Sequence, residues 1–338
     1  MRAFEYVAPR TESEVLEFLA ADFGDTAILA GGTDLVGLMK KMIVTPARVV
    51  NIMEVPSLGT IEVLPDGSLC IGATVTLDRL LDHRGLDVYP AVRQAVQGIN
   101  SMQLQCQGTL GGELMQRPGC WYYRNGMGLL SDAIARGANR YHAILGNSGP
   151  AKFVNGSRLA PALLALGASV RIVGPRPADQ NVMDLAALYR TPTQEGERET
   201  VSGPGQLLSH VILPPISGQT CATYEVRHGA GPEAPLAAAS AALQFTRGGV
   251  VAAARIVMGQ VAPVPWISQE AAEVITGHRI SEELAAAAGR AAVAMATPLS
   301  ENEYKVQLAS VAVKRSILLA AGHESGGFSH SLSGVEAG

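Results

Sequence analysis

Ala27 to Lys41 reads AILAGGTDLVGLMKK, and the interpretation of the whole chain turns on it. The apolar run Ala27, Ile28, Leu29 and Ala30 has the length and bounds of a buried strand. Gly31 and Gly32 follow, then Thr33 and Asp34, then Leu35 to Lys41 at helical spacing. A strand, a glycine turn, a polar cap and a helix together present backbone N–H groups to an anion. Paired glycines remove the Cβ atoms that would hold a phosphate away. Taken alone, an ordinary strand-to-helix connection capped by Thr33 or Asp34 is the better reading, so the rest of the chain has to decide.

A second turn of the same kind lies in INSMQLQCQGTLGGELMQRPGCWYYR, residues 99–124, where Gly108, Gly111 and Gly112 crowd around Thr109. Two such turns suggest a ligand with two phosphates, or with a phosphate and a flat ring. Two unrelated turns in a glycine-rich chain remain the competing reading. Around them the pattern predicts strands at 4–7, 48–52, 57–63 and 68–77, and a helix from the Thr11/Glu14 capping box to about Ala21. Helices are predicted near 77–82 and 89–98, at 159–166 with Pro161 in the first turn, and at 181–189. Strands are predicted at 169–173 and 207–213, with turns at Pro65-Asp66-Gly67 and Pro175-Arg176-Pro177.

After Pro215 the texture changes from mixed elements to strands followed by helices. Residues 220–227, 236–246 and 250–261 read as strands, although the alanines of 237–242 also suit a helix. Helices are expected at 268–276, 281–296 and 304–319, the last with Tyr304, Leu308, Val311 and Leu318 on one stripe. Gly229, Gly231 and Ala234 match a dinucleotide-type spacing, but Pro232 and Pro235 forbid the helix it requires.

At 338 residues, with 47% apolar and 17% charged residues, the chain can bury more than one core. A net charge of −4 gives no basic footprint for nucleic acid. No apolar run reaches a membrane span. The start, MRAFEYVAPRTESE, lacks a secretory h-region, so a cytoplasmic protein is expected, or a periplasmic one only if an export-competent partner carries it. Cys70, Cys106, Cys120 and Cys221 form no CxxC pair, and the histidines form no metal-spaced pair. Reduced thiols are the expectation.

Five motifs stand in a recognisable order: Ala30-Gly31-Gly32-Thr33-Asp34-Leu35, Gly108-Thr109-Leu110-Gly111-Gly112, Leu159-Ala160-Pro161-Ala162-Leu163, GQVAPVP at 259–265 and PLSENEYK at 298–305. Together they resemble the flavin-binding medium subunit of the molybdenum hydroxylases, the xanthine dehydrogenase and carbon monoxide dehydrogenase family. The resemblance implies an α+β fold. A two-part FAD domain of the vanillyl-alcohol-oxidase (PCMH) type would occupy residues 1–215, divided at about 55, with an insertion at about 116–150. A smaller C-terminal domain, a three-stranded sheet with helices, would follow at 216–322, then a flexible tail at 323–338.

The same resemblance implies FAD, contacted by Leu29 to Leu35, by Gly108, Thr109, Gly111 and Gly112, and by Met102, Glu113, Gln116, Arg158, Leu207 and Glu225. It implies electron transfer without acid–base catalysis in this chain. Partners would be a large molybdenum-cofactor subunit and a small [2Fe–2S] subunit, with a dimer of heterotrimers as a further option. Two other readings stand beside it: a structural subunit with altered flavin function, and a stand-alone flavin oxidoreductase.

Three departures from the family pattern concern the ring side. Arg158 stands where Asp is common, Glu225 where Lys is common, and Glu113 where Asn is common. The insertion resembles a branch that often carries a four-cysteine [4Fe–4S] cluster. Only Cys120 matches a ligand; the others would fall near Ser131, within Ala133 to Gly137, and at Ala151. One thiolate cannot hold such a cluster, so the insertion is expected to persist without it. Trp121-Tyr122-Tyr123 would then serve packing or an interface.

Overall fold

The first three strands pair in parallel, which forces each link between them to cross the sheet as a helix. A computed structural model describes residues 1–176 and 180–324. In it β1 (Glu5–Val7), α1 (Glu12–Phe18), β2 (Thr26–Leu29), α2 (Leu35–Lys40) and β3 (Arg48–Asn51) form a small layer with strand order β1-β3-β2. Val49 and Val50 bury this sheet's centre. The Thr11 hydroxyl accepts from Glu14 N at 3.2 Å, while the Glu14 carboxylate accepts from Arg10 N at 2.7 Å, a capping box with one arm displaced by a residue. The helix stops at Phe18, short of the expected Ala21. Leu19 is already extended there, and Ala20 N donates to the Thr26 hydroxyl.

The second sheet is antiparallel, in the order β4-β5-β8-β6-β7. Its strands are β4 (Ile61–Val63), β5 (Leu69–Gly72), β6 (Ser169–Val173), β7 (Asn181–Asp184) and β8 (Leu207–Leu213). One core joins Ile71, Val170 and Val211 to the helices α3 (Leu77–Asp82), α4 (Pro90–Gly98), α6 (Leu110–Met115) and α9 (Ala160–Ala165). Between them lie α5 (Met102–Gln107), α7 (Trp121–Arg124) and α8 (Ala133–Arg136).

Three expectations are corrected in this region. Residues 57–63 are not one strand, because Pro56–Gly59 forms a 3-10 turn. The strand from Ser68 ends at Gly72, where a Cβ would overlap the Leu58 carbonyl of that turn. Residues 181–189 are not a helix. Val182 and Met183 pair with β6, and only Leu185–Leu188 makes a 3-10 turn, opened by the Asp184 carboxylate on Ala186 N. Pro177, in the expected 175–177 turn, lies outside the described residues.

The third sheet is antiparallel, in the order β12-β11-β10-β9. Its long strands are β9 (Gln219–Val226), β10 (Ala237–Phe245) and β11 (Val251–Gly259), and the two-residue β12 (Trp266–Ile267) adds an edge. Against it pack α10 (Gln269–Ile275), α11 (Glu282–Ala292) and α12 (Tyr304–Ala320). Residues 237–242 are strand, and they are small because both faces are covered. Helix α12 packs on β10 from one side and α9 from the other. Helix α11 ends at Ala292, four residues before the expected Ala296.

The buried residues of α12 are Lys305, Ala309, Ala312, Val313, Ser316, Ile317, Leu318 and Ala320, while Tyr304, Leu308 and Val311 are only half-buried. Of the expected stripe Leu318 alone is buried, and small residues make up most of the core face. Alanines rather than leucines face the sheet because the helix approaches it closely. Gly229, Gly231 and Ala234 lie in the β9–β10 connection, which has no helix. Most of the expected tail, 325–338, lies outside the described residues. Among the described residues no helix is long and apolar enough to cross a membrane.

Candidate functional site

The first glycine loop leaves β2 at Leu29 and meets the end of α5. A Cβ on Gly31 would overlap the carbonyl oxygen of Gln107, and Gly32 has a φ of +73°. Both glycines are therefore required, one for close approach and one for backbone sign. Among the described residues, the N–H groups of Gly31, Gly32, Thr33, Asp34 and Leu35 donate to no protein acceptor. Asp34 does not cap α2 with its side chain. Its carboxylate accepts from Arg117 N at 2.9 Å and from the Arg124 guanidinium at 2.6 Å, which ties the loop to the 116–124 segment.

The second loop is built differently. Leu110 N donates to Val75 O and Gly111 N to Ala73 O, both at 2.9 Å. Gly112 N donates to the Thr109 hydroxyl at 3.1 Å. Gly111 approaches so closely that a Cβ would stand 2.7 Å from that of Ala73. Of the N–H groups from Thr109 to Gly112, only that of the buried Thr109 has no acceptor among the described residues.

Both loops face one cleft of about 270 Å³ between the first and second sheets. Ala30, Gly31, Gly32, Thr33, Asp34, Leu35, Thr109, Gly111, Gly112 and Leu207 line it. The other expected contacts stand elsewhere. Leu29 supports Gly32 from below, and Gly108 lies behind the second loop against Leu104 O. Met102 is 74% exposed at the start of α5. Gln116 lines an adjoining side pocket. The cleft also has walls that the sequence did not flag: Phe23, Arg117, Arg198 and the Ser202–Gln206 turn. Arg117 and Arg198 sit in polar, aperiodic stretches, so no pattern marks them.

Arg158 and Glu225 meet in a buried bidentate pair, with bonds of 2.9 and 2.6 Å. The Arg158 guanidinium also donates to Pro232 O and Glu233 O, holding the β9–β10 connection. Two residues that look independent in the sequence form one charge pair, each neutralising the other. Glu113 lies beside them and accepts from Arg158 N at 3.3 Å and from the Gln116 amide. Burial pushes its carboxyl up to about 8, against the opposing pull of Arg158.

In the insertion, Cys120 packs with Leu38, Tyr123, Leu129, Ile134, Ala151 and Phe153. Ile134 and Ala151 thus lie in one apolar cluster with Cys120. The Cys120 thiol lies 3.1 Å from His142 Nε2. Burial pushes the thiol up and the imidazole down to about 4, so both are neutral near pH 7. Among the described residues no group of three or more His, Cys, Asp or Glu side chains could hold a metal. Tyr123 is buried beneath the Arg117 guanidinium, whereas Trp121 is 55% exposed.

The two C-terminal motifs grip the end of this insertion. Lys305 is buried and donates to the carbonyls of Tyr141, His142 and Gln260. Asn302 donates to the carbonyls of His142 and Ala143. These residues serve the fold and not the cleft.

Residues 2–216 match the family model described as the FAD binding domain in molybdopterin dehydrogenase, and residues 222–320 match the CO dehydrogenase flavoprotein C-terminal domain. The chain is 31% identical to the FAD-binding subunit of an Escherichia coli aldehyde oxidoreductase, over 91% of this chain and 95% of that one. It is 24% identical to the carbon monoxide dehydrogenase medium chain of Afipia carboxidovorans, over 93% and 96%. Its fold is similar to that of a chain of carbon monoxide dehydrogenase from Hydrogenophaga pseudoflava, with a TM-score of 0.74 at 21% identity, covering 95% of this chain and 98% of that one. The free amides of the first loop and an open cleft suit FAD, and with the family matches they make this chain a member of the FAD-binding medium subunits of the molybdenum hydroxylases.

Proposed function

We propose that this chain binds FAD in the cleft between its first two sheets and serves as the electron-transfer subunit of a multi-subunit molybdenum hydroxylase. The observation that carries the reading is the set of N–H donors from Gly31 to Leu35, aimed at a cleft that the second loop closes from the other side. When bound, FAD supplies reversible electron acceptance. The chain's own part is to hold the diphosphate on the first loop and to shape the cleft with Thr109, Gly111 and Gly112. The Arg158–Glu225 pair adds no net charge, so it supports a working flavin site over a purely structural subunit. Among the described residues no side chain lining the cleft is paired with another as a nucleophile and base, which speaks against a stand-alone oxidase.

A large molybdenum-cofactor subunit and a small [2Fe–2S] subunit are the proposed partners, with residues 1–215 and 216–322 as the two working parts of this one. The unpaired thiols of Cys70, Cys106, Cys120 and Cys221 suit a reducing compartment, and we place the complex in the cytoplasm. Purification of the native complex tests the reading. Two companion chains, with flavin, molybdenum and iron, are expected. A preparation whose visible spectrum lacks flavin overturns it.

A further inference from the structure

We propose that Arg198 is a ligand for the cofactor's diphosphate, facing the amides of Gly31 to Leu35 across the cleft. The proposal rests on FAD occupying that cleft and names a residue that no motif points to. Arg198 lines both the main cleft and the side pocket. Its guanidinium carbon lies 4.5 Å from the centroid of the Phe23 ring. Among the described residues the guanidinium makes no ion pair and no hydrogen bond.

The charges around it are otherwise matched. Arg117 lines the same two spaces, but Glu199 neutralises it at 2.9 Å. Asp34 is held by Arg124. Asp22 is the remaining carboxylate on the cleft wall, and it is exposed to water. Burial and the neighbouring Arg117 charge push the Arg198 pKa below the ordinary arginine value. Two guanidiniums side by side with one counter-charge leave a surplus cation, which an anion in the cleft would satisfy.

The placement is also fixed. Arg190 N donates to Glu199 O, the Arg190 side chain to Arg198 O, and Val201 N to Leu188 O. The Arg198 backbone is therefore held on both sides. Phe23 packs against the guanidinium, and among the described residues no protein acceptor takes its N–H groups.

The test titrates FAD and, separately, inorganic pyrophosphate into flavin-stripped full-length protein, by calorimetry at two salt concentrations. Arg198→Gln is expected to weaken both ligands by about tenfold or more and to flatten the salt dependence. Arg198→Lys keeps the charge but loses the fork, and is expected to weaken them several-fold less. Arg247→Gln, at the exposed β10–β11 turn, is the control and is expected to leave both unchanged. If Arg198→Gln does not fold, Arg198→Lys carries the test, with a loss of about threefold or more expected. Unchanged affinities in whichever Arg198 variants fold overturn the proposal. If pyrophosphate binds in an Arg198-dependent way and FAD does not bind, the flavin reading fails while the anion site stands. If the wild type binds neither, both fall.

Discussion

The two glycine loops are built from nearly the same residue types and do opposite jobs. In Gly31 to Leu35 the backbone amides have no protein acceptor among the described residues, and these residues line the cleft. In Leu110 to Gly112 the amides are spent on Val75, Ala73 and the Thr109 hydroxyl. Of the amides expected to meet a diphosphate, those of the first loop from Gly31 to Leu35 are free of protein acceptors among the described residues, and in the second loop only that of Thr109 is. A glycine-rich turn can remove Cβ atoms for a ligand or for the protein's own backbone, and only the hydrogen-bond account tells the two apart.

The largest effect belongs at Gly31. Gly31→Ala drives a methyl into the Gln107 carbonyl, which is backbone and cannot swing aside. We expect a loss of about 4 kcal/mol in urea unfolding together with loss of bound flavin. If the protein folds and keeps its flavin, the two loops are not in contact and the comparison breaks. Gly111→Ala comes next. Its methyl would press on Ala73, itself part of a chain that can shift slightly, and about 2–3 kcal/mol is expected. Flavin affinity should fall less than in Gly31→Ala once stability is restored by cooling. An equal fall would make the second loop a ligand surface as well as a brace.

The elements that the sequence showed plainly are those with local causes. The strand-to-helix unit at 26–40, the hairpin strands 219–226 and 251–259 and the Ser268 and Ser281 caps all follow from pattern and cap residues. What it could not show depends on partners distant in the chain. Arg158 and Glu225 are 67 residues apart, and each alone reads as a misplaced charge beside a flavin. Only their contact reveals a pair. Arg198 lies in a polar connection with no periodicity, so its place on the cleft wall is a product of topology. Of the stripe expected on α12 only Leu318 is buried, because large apolar side chains mark a stripe in the sequence whereas this interface selects small ones.

A pH experiment sharpens the comparison next, because Glu113 follows the second loop directly. Its carboxyl is raised from 4.5 to about 8 by burial. The unfolded chain releases this proton near 4.5 and the folded chain near 8. Between those values the folded state holds the extra proton, so this group's stabilisation is complete below pH 4.5 and is lost as pH rises through 8. Urea unfolding of wild type and Glu113→Gln should therefore diverge across that window, with the variant gaining steadily on wild type as pH rises from 4.5 to 8. Parallel curves would mean that Arg158 already holds Glu113 ionised.

The smallest effect, and the one that separates the loops most finely, belongs at Thr109. Its hydroxyl accepts from Gly112 N and so acts as the cap of α6. Thr109→Val keeps the shape and removes the acceptor, at a cost of about 1 kcal/mol, since the freed N–H lies at an exposed residue where water can reach it. The Thr109 amide is untouched, so FAD affinity should stay within about twofold, a change below RT in free energy. A fall of tenfold would require the hydroxyl to leave the cap and donate to the cofactor when it binds. The second loop would then exchange a protein acceptor for a ligand on binding, and the division between a donor loop and a bracing loop would describe only the ligand-free chain.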